Sequence, residues 1–211
     1  PAAAWRRRHR PAGRRRPPVT IAGDVALTAP ELLLVAADDL TVQSGASLVA
    51  AGAQVPAQDF TVAGDGALLR LASGRLAQIV RTEEAGQTGT LRLEAGARLE
   101  AAGGSLSLDA SRDTLSQATL VLPDGGLGIG ARLVNLGQVP VGTDGLTLDT
   151  TAINALGLRE LNLVSRSTLD FYGPVDLDVR QLTLDAAALR RAGAEGDVRI
   201  AASESVRLQN S

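Results

Sequence analysis

The sequence predicts an all-β chain wound as a parallel β-helix, with short helical insertions and a disordered arginine-rich start. Three observations predict it. One phrase of alternating aliphatic and polar residues keeps returning, its aliphatics recur in steps of about eight, and aromatics make up only 2% of the chain.

The first element is the head, residues 1–18, "PAAAWRRRHRPAGRRRPP". It has no apolar periodicity and cannot bury enough surface to order itself. All 21 basic residues of the chain are arginine, seven of them in this head, and all 23 acidic residues follow it. Fourteen arginines against 23 acids give residues 19–211 a formal charge of −9, which the total of −2 conceals. Clustered arginine suits phosphate neutralisation, so a nucleic-acid or membrane-surface role would rest on the head alone. No apolar stretch follows the arginines as a secretion signal requires. The residue set of the head, all from GC-rich codons, also matches out-of-frame translation, so the segment reads as disordered or non-native. His9, the only histidine, lies here, which removes histidine acid–base, triad and metal chemistry from the body. Beginning at Pro1, the chain reads as a fragment or a processed product.

From Val19 to Ser211 the phrase repeats as "GDVALTA", "DDLTVQ", "QDFTVA", "GTLRLEA", "GSLSLDA", "DGLTLDT", "RELNLVS", "RQLTLDA", "GDVRIAA" and "ESVRLQN". A period of two puts the aliphatics on one face and Thr, Arg, Ser or Asp on the other. Leu32, Leu40 and Leu48 stand eight apart, as do Leu161, Leu169 and Leu177. Leu91 and Leu99 repeat the step, with Leu106 close behind, and so do Val198 and Val206. Such spacing leaves no room for βαβ crossovers, which need about 10–12 residues. An antiparallel sandwich fits the step too, but it calls for core aromatics and distinct two-residue hairpins. Three strands to a coil of about 20–25 residues give roughly eight or nine coils and a rod ~40 Å long.

Composition agrees. With no Cys, no Met and two Phe, the interior must be thin and filled by stacked Leu, Val and Ala. The absence of Cys excludes disulfides, a thiolate nucleophile and a cysteine metal site, and suits the cytosol and exported chains alike. No apolar run reaches membrane-span length, since "APELLLVAA" is broken by Glu31. Two stretches depart from the rhythm. "TTAINALGLREL", 150–161, has helical spacing at Ile153, Leu156 and Leu161 with Thr150 or Thr151 as cap. "DAAALRRAG", 185–193, reads as a helical turn from an Asp185 cap to a Gly193 stop.

"GDGALLRLASG", "TLRLEAGARLEAAGGSLSLDAS" and "LNLVSRSTLDFYGPVDL" with the closing "VRLQNS" resemble the filament region of filamentous-haemagglutinin-like bacterial exoproteins. The resemblance covers residues 19–211, and "STLDFYG" is its most distinctive phrase. It implies a right-handed β-helical shaft of a large adhesin of the two-partner-secretion type. It further implies a secreted or cell-surface location and a role in cell adhesion. The implied partners are glycans or proteins of host or neighbouring cells, with an outer-membrane secretion partner for the full-length protein. No catalysis and no cofactor are implied.

The candidate sites are few. In "STLDFYG", Leu169 and Phe171 share the inward face, and Tyr172 projects outward beside Asp170 and Asp176, where stacking and hydrogen bonds suit a glycan. The plainer reading is a surface residue near a coil corner at Gly173-Pro174. Asp170, Asp176 and Asp178 also suggest the alternative of a carbohydrate-active β-helix enzyme, because glycoside hydrolysis needs two carboxyls about 5–10 Å apart. Gly126, Gly128 and Ala131 fit a loose dinucleotide fingerprint, but the helix that must receive the pyrophosphate does not follow. The same run nearly matches a calcium nonapeptide, with Gly130 where the ligand Asp belongs. A glycine-rich corner accounts for it, so no metal or cofactor ligand is expected.

Overall fold

The computed structural model describes residues 18–56, 58–193 and 195–211. Apart from Pro18, the arginine-rich head lies outside the described residues.

The chain enters as β1 (Val19–Ile21), β2 (Ala26–Ala29) and β3 (Glu31–Ala36), then β4 (Leu40–Val42) and β5 (Ser47–Ala50). An excursion follows in β6 (Phe60–Ala63), β7 (Ala67–Ala72) and β8 (Ile79–Thr82). The pattern resumes with β9 (Thr90–Leu93), β10 (Arg98–Glu100) and β11 (Ser105–Ala110). It repeats in β12 (Asp113–Ser116), β13 (Thr119–Val121) and β14 (Gly126–Ala131). After β15 (Val134–Gly137), β16 (Leu146–Leu148) and α1 (Thr150–Ala155) come three long strands. These are β17 (Glu160–Tyr172), β18 (Val175–Ala192) and β19 (Val198–Gln209).

The fold is all-β, and in the first half of the chain the eight-residue step carries it from one sheet to the next, whereas Leu161, Leu169 and Leu177 all stay in the third sheet. Leu91, Leu99 and Leu106 lie in β9, β10 and β11, which belong to three different sheets. The first sheet runs β1-β4-β9-β12 and the second β13-β10-β5-β2, every pair in both being parallel. The third holds nine strands. Its central pairs put Leu106 against Leu127, Leu127 against Leu161, Leu161 against Leu182 and Leu182 against Val206, all parallel.

Strand direction is not uniform. β7 lies between β3 and β11 and runs antiparallel to both, so the third sheet is mixed where the sequence pattern led to an all-parallel expectation. The physical reason is that alternation specifies which face is buried, not which way the strand points. Leu71 and Leu69 keep the columns filled in either direction, with Leu32↔Leu71↔Leu106 and Leu34↔Leu69↔Leu108. Two aliphatic columns thus cross seven strands without a break, from Leu32 to Val206 and from Leu34 to Leu208. The core they form is aliphatic, with Phe171 its one aromatic among the described residues.

The helical expectations divide. α1 forms, capped by Asp149, whose side chain accepts from the Thr151 N–H, rather than by Thr150 or Thr151. Residues 185–192 are not helical. They extend β18, pairing Asp185 with Val164, Leu189 with Leu169 and Ala192 with Tyr172. Here a ready-made strand edge outweighs the intrinsic helix preference of Ala, Leu and Arg, which is worth only tenths of a kcal/mol per residue. The run "GLGIG", 126–130, is likewise not a corner but the start and middle of β14.

Candidate functional site

Strand β17 carries Asp170 and Tyr172, and the turn at Gly173 delivers Asp176 at the start of β18. Leu169 and Phe171 are buried, as period-two alternation requires. Gly173 and Gly193 turn the chain with φ of 65° and 75°, a conformation costly to any residue with a Cβ. Tyr172 is half-buried against this corner, and a Cβ on Gly193 would lie 2.8 Å from its ring.

Asp170 points outward yet is only 1% exposed. The register places Arg190 beside it, and that guanidinium donates from Nε at 3.1 Å and Nη2 at 2.6 Å to the two carboxylate oxygens. The same hydrogen bonds raise the Arg190 pKa above its ordinary value. Asp176 and Asp178 stand exposed on alternate positions of β18. Arg199, opposite on β19, donates to both, at 2.6 Å and 3.3 Å. Each carboxylate singled out in the sequence is therefore held by an arginine of the next strand. Tyr172 and Asp170 lie together on β17, while Asp176 sits past the turn with a different partner.

A second cluster was not singled out in the sequence. The segments on either side of β7, residues 58–66 and 73–89, fold over the outer face of the third sheet, so that β7, β11 and β14 are buried on both sides. Arg70, on the outward side of β7, donates to Glu31 at 2.6 Å and lies 5.6 Å from the Phe60 ring centre. Farther along, Asp109 sits between two arginines. Arg81 donates from Nε to its Oδ1 at 2.6 Å, and Arg166 donates to its Oδ2. Arg81 also reaches the Gly64 carbonyl at 2.8 Å, and Arg166 pairs with Glu84 at 2.8 Å. The side chains of Arg81 and Asp109 are 1% and 2% exposed. Burial pushes the Glu84 carboxyl above its ordinary value, against the pull of Arg166.

Asp65 closes the excursion. Its carboxylate accepts backbone N–H groups of Ala85, Gly86, Gln87 and Thr88. Burial acts to raise its pKa, but the four donors outweigh it and hold the group below the usual carboxylate value. The outward glycines of β14 belong to the same device. A Cβ on Gly126 or Gly128 would lie 3.1 or 3.2 Å from Leu76 of the covering segment, and one on Gly130 would lie 2.3 Å from Asp109. Glycine at alternate strand positions was the signal for this close approach.

Two hollows adjoin these elements. A groove of about 410 Å³ runs between β8 and the outer faces of β17 and β18, with Arg81, Glu84, Asn162 and Asp185 on its walls. An apolar cavity of about 300 Å³ lies between β12, β13, β16 and α1. Among the described residues no three His, Cys, Asp or Glu groups cluster as metal ligands, and no helix is long and apolar enough to cross a membrane. No protein-family model, curated protein or solved structure matches the chain.

Proposed function

We propose that the chain is a structural and adhesive segment of a bacterial surface or secreted filament, without a catalytic centre. In outline it is a right-handed parallel β-helix, interrupted at β7 and α1. One observation carries the reading: both aliphatic columns run on to a strand whose far edge is unpaired among the described residues. There β19 pairs only with β18, and its inward Val206 and Leu208 are 49% and 61% exposed. An uncovered edge of this length and polarity is a template for a further strand. A stack that ends on a receptive rung suits a rod built by repetition, in which only nearest neighbours touch.

The pairing of Asp170, Asp176 and Asp178 with arginines supports a structural role for these carboxylates over glycoside hydrolysis. Cross-strand pairs of this kind between a carboxylate and an arginine are an ordinary means of stabilising a sheet face. Attachment to glycans or proteins of another cell, export through an outer-membrane partner and a location outside the cell all follow from the filament reading.

The test joins two assays on the full chain. Analytical ultracentrifugation and electron microscopy are expected to show elongated end-to-end oligomers that disappear in Val206→Lys/Leu208→Lys. Beads coated with the chain are expected to bind epithelial or bacterial cells saturably, without release of reducing ends from polysaccharides. A chain that stays monomeric at high concentration and coats beads without conferring adherence overturns the proposal.

A further inference from the structure

The inner columns are interrupted at one level only on two sides of the stack. In the first sheet the inward residues run Val19↔Leu40↔Leu91↔Thr114 and Ile21↔Val42↔Leu93↔Ser116, so hydroxyls replace aliphatics at the last strand. Among the described residues β12 has no strand beyond it, since β16 pairs with β15 instead. In the second sheet β13 is also terminal among them, and α1, whose Asn154 bonds to the β18 backbone, faces it across a hollow. The wedge left between these elements is the apolar cavity of about 300 Å³. Leu120, Ile129, Leu146, Ile153 and Leu156 line it, with Ser116, Thr147 and Asp149 about its walls.

Thr114 supplies the second observation. It lines the hollow, is only 2% exposed, and its Oγ1 has no hydrogen-bond partner among the described residues. A buried hydroxyl is ordinarily paired, and one left alone in an apolar hollow is a polar group awaiting a partner. The hollow is partly open to solvent and has about twice the volume of the ~150 Å³ enclosed apolar cavity that admits benzene. Asp149, fixed by its bond to the Thr151 N–H, places a negative charge beside it and disfavours an anion.

We infer that this cavity is a binding site for a small neutral amphiphile, with a medium-length aliphatic body seated on Leu120, Ile129 and Ile153 and a single hydroxyl or carbonyl oxygen bonded to Thr114. The inference is independent of the filament reading, since it needs only the interrupted level between β12, β13 and α1.

Isothermal titration of the full chain with 1-octanol tests it, with octanoate as the charged comparison. The expected result is one saturable site for 1-octanol and binding of octanoate at least tenfold weaker at neutral pH. Thr114→Val, which keeps the shape and removes the hydroxyl, is expected to weaken 1-octanol about fivefold to tenfold, the range of one lost hydrogen bond. Ala152 is exposed on α1 and lines the cavity, so Ala152→Trp is expected to abolish binding with an unchanged circular dichroism spectrum. Absence of saturable 1-octanol binding overturns the inference. So does equal binding by Thr114→Val, or undiminished binding by a folded Ala152→Trp.

Discussion

The column from Leu34 to Leu208 allows one substitution to be made at two depths. Leu163 lies in its interior, 0% exposed, between Ile129 and Leu184. Leu208 lies at its end, 61% exposed, with Leu184 on one side and no strand on the other. Leu163→Ala removes fully enclosed methyl groups from a stack that relaxes only partly, at a cost of about 3 kcal/mol or more. Leu208→Ala removes groups that keep about two fifths of their burial, which scales the cost to about 1 kcal/mol. With a urea dependence of about 2 kcal/mol/M, the midpoints fall by ~1.5 M and ~0.5 M respectively. Equilibrium urea unfolding followed by far-ultraviolet circular dichroism measures both. Equal shifts for the two variants, or a shift below ~0.3 M for Leu163→Ala, would refute the reasoning that the column is packed inside and open at β19.

Further expectations concern the excursion over the third sheet. Asp109→Asn leaves the enclosed Arg81 guanidinium without its counter-charge and is expected to cost about 3 kcal/mol. Limited proteolysis should then cut first within residues 73–89, and resistance equal to that of the parent would contradict the assignment. Gly128→Val drives methyl groups into Leu76 and is expected to expose the same segment, while leaving the β17–β18 amides as slow to exchange as before. Because the folded pKa of Asp65 is depressed, its stabilisation is present above the unfolded value of about 3.9 and lost as pH falls through the lower, folded value. Protease resistance of the 73–89 segment should therefore decline at acid pH in the parent and vary much less in Asp65→Asn, which is already loosened at neutral pH.

The strands were legible because each is a local phrase. "GSLSLDA" becomes β11 and "ESVRLQN" the second half of β19, each with its aliphatics on the inward side. The step of eight was legible as movement from sheet to sheet at Leu91 and Leu99, whereas Leu161 and Leu169 lie in one strand, β17, on either side of a register shift. Strand direction was not, because "GALLRLASG" presents the same alternation whether β7 runs up or down. The fate of Asp170 was hidden for a related reason. Its burial depends on Arg190, twenty residues away, arriving by register, and no local pattern reports that partner. The covering excursion left one trace, glycine at the outward positions 126, 128 and 130. That pattern has meaning only when another segment is known to approach the strand. Thr114 and Ser116 were hidden, because "DTLS" read alone puts Leu115 on the apolar face; the register with Leu91 and Leu93 is what turns the hydroxyls inward and leaves Leu115 exposed.

The winding itself is most directly tested by a distance. Leu33 on β3 and Arg207 on β19 are exposed and share one outward column, joined by the pairings Leu33↔Arg70↔Ser107↔Gly128↔Asn162↔Thr183↔Arg207. Six strand-to-strand intervals of ~4.8 Å separate their backbones by about 29 Å. The chain has no native cysteine, so spin labels on Leu33→Cys and Arg207→Cys report that pair alone. Double electron–electron resonance should give a single narrow distribution near 30 Å after allowance for the label arms. A main peak near 20 Å or less, as two facing sheets of a sandwich would produce, would contradict the stack.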